Sequence, residues 1–291
     1  MNVLRLLTLL LLASATLPGA RAAHILLIAG KPSHGPGDHE FRAGMLLVQQ
    51  GLATVPGVQT TVASNGWPAD PSVFDKIDAV AIYADGGTGH PAIQENRLEL
   101  LNGLARKGKG LAFMHYGVEV PKGDPGKAMQ EWTGGYYEHL FSCNPMWSPE
   151  FNRFPDHPVT RGVKPFSIRD EWYFNMRFRE DMKGVTPILV AKPSDAVRDG
   201  PYVWPQGPYP HIQTAKGRDE VMMWVRERED GGRGFGFTGG HFHRNWGDEN
   251  FRKVVLNALL WVARAEVPAA GVTVQVTPEQ LKQNLDPKGR S

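Results

Sequence analysis

The sequence predicts an α/β fold: a three-layer sandwich in which helices cover both faces of a parallel sheet, with a long loop-rich elaboration. Two observations carry this expectation. Apolar runs ending in glycine, such as "AHILLIAG" (23–30) and "GKGLAFMHYG" (108–117), read as strands buried on both faces. They alternate with segments of helical period, the βαβα rhythm of a parallel sheet.

In chain order, the first strand is 23–30, followed by the loop "GKPSHGPGDHEF" and a helix. The helix presents Phe41, Met45, Val48 and Leu52 on one face, with Asp38 placed to cap its start. "VQTTVAS" (58–64) and "IDAVAIYADGG" (77–87) follow as strands. Residues 91–108 read as a helix opened by Pro91 and closed by Gly108. The fourth strand carries His115 and Tyr116 at its carboxyl end. From about 117 to 230 prolines and aromatics are frequent, and the expectation is loop, short strand and turn. Regularity returns with "EVMMWVRE" (220–227), a strand over 232–243, and a helix capped by Asp248 with Phe251, Val254, Val255, Ala258, Leu259 and Val262 facing inward. A capping box, Thr277 to Gln280, starts a final short helix.

Residues 1–22 read as a secretory leader: Arg5, an apolar run over 6–12, then Ala20 and Ala22 at an A-x-A-like cleavage site. The run is too short for a membrane span of ~20 residues, so the chain is expected to be exported, periplasmic or secreted, with no membrane span. What remains, 23–291, reads as one domain ending in a helix and tail over 266–291. Losing Arg5 and Arg21 takes the 32 Lys and Arg to 30, against 30 Asp and Glu. A neutral chain with scattered cations is not expected to bind nucleic acid. The single cysteine, Cys143, forms no intrachain disulfide and reads as a half-buried thiol. A homo-oligomer is compatible with the sequence.

In an open parallel sheet, ligands bind beyond the carboxyl ends of the strands. That rule nominates Lys31, Ser33, His34 and His39; Asp85, Gly86, Gly87 and His90; His115, Tyr116 and Glu119; and His241, His243 and Trp246. Gly86-Gly87 could be a turn or an oxyanion hole. His241 and His243 share a face if their strand continues, and could ligate a metal such as zinc with His115 or Glu171. A metal-free alternative uses neutral imidazoles as general acid and base.

"HILLIAGKPSHGPGDHEFRAG", "GLAFMHYGVE", "FPDHPVTRGV", "IRDEWY" and "GRGFGFTGGHFHRNWGDENFRKVVLNALLWVA" together resemble the ThuA-like (trehalose utilisation) proteins, in that order and over nearly the whole chain after the leader. The resemblance implies a flavodoxin-like, class I glutamine amidotransferase-like fold. It also implies that His115 and Tyr116 stand where an amidotransferase keeps its cysteine, so glutamine hydrolysis through a thiol is not expected. His241 matches the late histidine and should face His115 across one pocket. Asp170, Glu171, Trp172 and Tyr173 match the acidic-aromatic segment, and Trp172, Tyr173, Trp204 and Trp246 are candidates to stack on a sugar ring.

The leading expectation is an enzyme acting on a small sugar or 3-keto-sugar. His115, His241 and Glu171 are its catalytic groups or the ligands of a divalent metal. His34, Gly86, Gly87, Tyr116, Glu119, Tyr173, His243 and Trp246 contact substrate. The alternatives are a carbohydrate-binding module without catalysis and a hydrolase using Ser33 or Cys143.

Overall fold

A computed structural model describes residues 22–289; the leader, apart from Ala22, lies outside the described residues. Strands β1 (Ala23–Ala29), β2 (Val58–Ala63), β3 (Ala79–Tyr83), β4 (Gly110–Met114), β5 (Val185–Ala191), β6 (Glu220–Glu227) and β7 (Arg233–Phe237) form one sheet of order β5-β6-β7-β4-β3-β1-β2. β7, β4, β3, β1 and β2 run parallel, while β6 is antiparallel to both its neighbours.

The strand period of two sorts side chains into two cores. Ile25, Leu27 and Ala29 of β1, with Ala81, Tyr83 and Met114, pack with helices α1 (Phe41–Leu52) and α4 (Glu249–Val262). Leu26 and Ile28, with Val80, Ile82 and Phe113, pack with α2 (Arg97–Arg106) and α3 (Asp124–Trp132). Burial on both faces explains why β1 reads as an unbroken apolar run; each large side chain so buried contributes about 1.5–3 kcal/mol. The predicted inner face of α4 is buried, and Asp248 Oδ1 accepts the Asn250 and Phe251 amide N–H groups at 2.9 Å. The short α5 (Pro278–Leu281) starts with the expected capping box.

Four local expectations are corrected. Asp38 does not cap α1: Glu40 holds that position without a side-chain cap, and its Oε1 accepts the Gly37 N–H at 3.0 Å. Pro91 opens a separate 3-10 turn, Pro91–Ile93, and α2 begins at Arg97. The elaboration contains α3, obscured by the Pro and Gly of "DPGKAMQEW", and the edge strand β5, obscured by Pro187 and its irregular register. β7 ends at Phe237, because the chain turns at Gly240 with φ +118°, so His241 and His243 do not share a strand face.

The C-terminal tail returns across α1 to the loop after β1. Arg42 Nε donates to Asp286 Oδ1 at 3.0 Å, and the Asp286 N–H donates to Glu40 Oε2 at 2.8 Å. The Lys288 ammonium, 4% exposed, pairs with Glu40 Oε1 at 3.3 Å and donates to the Asp38 carbonyl.

Candidate active site

Loops after β1, β3, β4 and β7 converge at the carboxyl edge, and the first residue past β4 is His115. Its φ of 51° lies in the left-handed region, as do those of His34 (60°) and His39 (48°). Such backbone costs about 1–3 kcal/mol per residue and persists where neighbouring structure over-determines it. The strained turn turns the His115 ring back over the strand ends.

His39 and His241 are brought together by their backbones. Asp38 and Phe242 form an antiparallel bridge; the His39 N–H donates to the His241 carbonyl, and the His243 N–H to the Gly37 carbonyl, each at 2.9 Å. Asp170, wholly buried, clamps the same turn by accepting the N–H groups of Gly240 (2.7 Å), His241 (3.1 Å) and Phe242 (3.3 Å). Its neighbour Glu171, on a two-residue strand paired with Met146–Trp147, points its carboxylate at the histidines.

Four buried donor atoms meet there. His39 Nε2 lies 3.0 Å from His115 Nε2 and 3.1 Å from His241 Nδ1. Glu171 Oε2 lies 2.8 Å from His241 Nδ1 and 3.6 Å from His115 Nε2. One ligand atom from each of the four residues falls within 4.8 Å of all the others. The outer nitrogens fix the tautomers. His115 Nδ1 is 2.9 Å from the Thr238 carbonyl, which only accepts, so it carries the proton. His39 Nδ1 is 3.0 Å from Asp85 Oδ1 and carries one for the same reason. In neutral rings both Nε2 atoms then present lone pairs to each other at 3.0 Å. The Tyr173 hydroxyl, 3.3 Å from His115 Nε2, can donate to one of them; the other has only a share in the His241 Nδ1 proton, which lies 3.1 Å from it and closer, at 2.8 Å, to Glu171.

The electrostatics keep His115 and His39 neutral. Burial holds His115 and His39 well below the ordinary imidazole range, and neighbouring imidazoles push the same way. Burial also lowers His241, but the Glu171, Asp38 and Asp170 carboxylates outweigh it and the net shift is upward. Burial raises Glu171, opposed by His241.

The cluster floors a cavity of about 650 Å³ lined by His34, Gly87, Tyr116, Glu119, Asn144, Tyr173 and Trp204, among others. Burial and the Glu171 charge raise the Glu119 carboxyl to about 7. Burial and the Glu119 charge push Tyr116 up to about 12, leaving its hydroxyl a donor at neutral pH.

Of the residues nominated from sequence, His115, His241 and Glu171 meet in the cluster. His34, Gly87, Tyr116, Glu119 and Tyr173 line the cavity. Gly86, His243 and Trp246 do not. The place of a Gly86 side chain is filled by the Tyr116 carbonyl, 2.2 Å from a Cβ built there, and the Gly87 N–H is committed to the Glu119 carbonyl at 3.0 Å. No open pair of amides remains for an oxyanion. Trp246 is wholly buried against Tyr83 and Phe251, and His243 is buried in the turn that braces the His39 loop. Cys143 is fully rather than half buried, with its thiol pushed up by burial. His39, central to the cluster, was nominated only as one of several loop residues.

The class is an α/β sandwich with a histidine-rich pocket at the carboxyl ends of its parallel strands and a histidine on the turn after the central strand β4. The chain belongs to the ThuA family, described as trehalose utilisation, whose model matches residues 28–262. Among solved structures it is similar to a ThuA-like protein from Bacteroides uniformis, with a TM-score of 0.55 at 13% identity over 86% of this chain and 94% of that one. It is also similar to a glutamine amidotransferase from Thermotoga maritima, with a TM-score of 0.46 at 9% identity over 84% and 100%. No curated protein matches it. Among the described residues no helix is long and apolar enough to cross a membrane.

Proposed function

We propose that this ThuA-family protein is an exported, metal-dependent enzyme acting on a sugar or 3-keto-sugar. In this reading His39, His115, His241 and Glu171 hold a divalent cation of the zinc class. The observation that carries the proposal is the 3.0 Å approach of two imidazole Nε2 atoms whose protons are committed elsewhere. A cation between them turns a repulsion into ligation, and three nitrogens with one carboxylate oxygen are a donor set zinc accepts. The family's association with trehalose supports a sugar as substrate.

A bound divalent cation supplies Lewis-acid polarisation of a substrate oxygen. With three histidines and Glu171 engaged in ligation, proton transfer falls to Glu119, whose carboxyl is held by burial above the usual carboxylate range, so that it can accept and return a proton. On a 3-keto-sugar, Glu119 takes the proton from the carbon beside the carbonyl. It then returns that proton to the carbonyl carbon, while the proton of the adjacent hydroxyl passes to the carbonyl oxygen, giving isomerisation. Alternatively it returns the proton to the oxygen that departs as its bond to the next carbon breaks and a C=C bond forms, giving elimination. Tyr116 donates a hydrogen bond into the same space, beside Gly87.

The test is metal analysis of the purified protein together with His39→Ala. Retention of about one divalent ion per chain by the wild type, with loss of ion and of keto-sugar turnover in the variant, is the expected result. A wild type that turns over substrate without metal would transfer catalysis to the Glu171–His241 pair, 2.8 Å apart. A protein that binds sugar without product in any form would be the binding module.

A further inference from the structure

The cavity mouth is built around an aromatic side chain that the cluster does not use. Three of the four tryptophans and tyrosines that the sequence offers for stacking are buried: Trp172, Tyr173 and Trp246. Trp204 is 71% exposed, lines the cavity together with the 41% exposed Val203, and stands on a loop that is itself anchored. Buried Tyr202 donates its hydroxyl to the Arg198 carbonyl at 2.5 Å, and its N–H to the Gln206 carbonyl at 2.9 Å. Gly207, at φ +64°, lies against the Tyr202 ring, where a Cβ would come within 2.6 Å. The indole is thus presented by a pinned loop at the cavity wall, beside Val203.

Asn144 ties that loop to the cluster. Its Oδ1 accepts the Trp204 N–H at 3.2 Å, and its Nδ2 donates to Glu171 Oε1 at 2.9 Å. The backbone that carries the indole therefore stands in fixed register with the donor atoms. The charge of the cavity limits what lies between them. No arginine is among its lining residues, and its one ammonium, Lys122, has a side chain 81% exposed, so no built grip for a phosphate stands between the indole and the cluster.

From this arrangement the geometry points to Trp204 and Val203 as an outer subsite that stacks on the apolar face of a second, uncharged ring, attached to the sugar that reacts over the histidine cluster. Trp204 is then the specificity-determining residue for what lies beyond the reacting sugar. The cavity's ~650 Å³ sits in the middle of the range for small-molecule sites, ~300–1,000 Å³, with space beyond one pyranose.

The subsite rests on the proposed carbohydrate function, and the experiment separates the two. Metal-loaded wild type and Trp204→Ala are titrated calorimetrically with 3-keto-trehalose and with methyl 3-keto-α-glucoside, which share the keto ring and differ in the second ring. The wild type is expected to prefer the two-ring probe about tenfold, as for one aromatic stacking contact, and the preference is expected to collapse in the variant. Equal affinities of the wild type for both probes, or a preference that survives Trp204→Ala, overturns the subsite and leaves the sugar reading standing. Failure of the wild type to bind either probe overturns both. Trp204 packs against little, so loss of fold does not confound the variant.

Discussion

Asp85→Asn tests the tautomer argument without touching a proposed ligand. Asp85 Oδ1 lies 3.0 Å from His39 Nδ1, and a carboxylate there compels the proton onto Nδ1 and leaves Nε2 free to ligate. An asparagine keeps the shape, loses the charge, and can turn its NH₂ toward Nδ1, a rotamer that drives the imidazole proton onto Nε2 and removes the donor. Losing such an outer partner typically weakens a metal about 10–100-fold. The Asp85 side chain is 38% exposed, so water screens its charge and the low end applies: about tenfold, or ~1.4 kcal/mol. The assay is competition for zinc with a chromophoric chelator, with circular dichroism as the check on fold. An unchanged affinity would refute the assignment of Nε2 as a ligand fixed by Asp85; a wild type with no affinity would refute the centre itself.

Glu119 sets a second expectation. Burial raises its carboxyl, so the base form accumulates as pH rises and the rate should climb with pH and then level off; Glu119→Gln should cost 100-fold or more and lose that limb in a pH–rate profile. His90 is wholly buried, and burial lowers it to about 4 against an ordinary 6.5. Because its folded value is depressed, its stabilisation is full above pH 6.5 and is lost as pH falls toward 4. The gap corresponds to about 3 kcal/mol at ~1.4 kcal/mol per pH unit, measured as the difference in urea unfolding between wild type and His90→Gln. Lys288→Met strands the buried Glu40 carboxylate and should lower zinc affinity and melting temperature together, with Lys288→Arg recovering part of both. Export is checked by fractionating a Gram-negative host: the chain should accumulate in the periplasm, beginning near Ala23, and a full-length cytoplasmic product would refute the leader.

The parallel core was legible because burial on both faces leaves an unmistakable apolar run, as in β1 and β4. The same rule located the site edge, and with it all four loops that converge there. His39 stayed undistinguished because a glycine-rich loop has no period, and its partner, the Asp38–Phe242 bridge, joins residues about two hundred positions apart. Glu171 sits in the irregular elaboration, where no strand-end rule singles it out; it enters only as one carboxylate able to complete a metal set and through the family resemblance. Reading the strand on to 243 put His243 and Trp246 at the site; the turn at Gly240 sends them into the brace and the core instead. The aromatic candidates could not be separated by residue type, since burial alone distinguishes Trp172 and Trp246 from Trp204.

The strap from Lys288 to Glu40 and Asp38 has a consequence for the order in which the molecule comes into being. The loop bearing His39 is among the earliest segments a ribosome would deliver, yet the ammonium that neutralises its buried Glu40 arrives some 250 residues later. Until then that carboxylate has no cation beside it, and the loop has little reason to settle in its strained conformation. The last brace on the histidine cluster therefore arrives only with the end of the chain, and a chain trimmed before Lys288 would carry every ligand yet lack that brace.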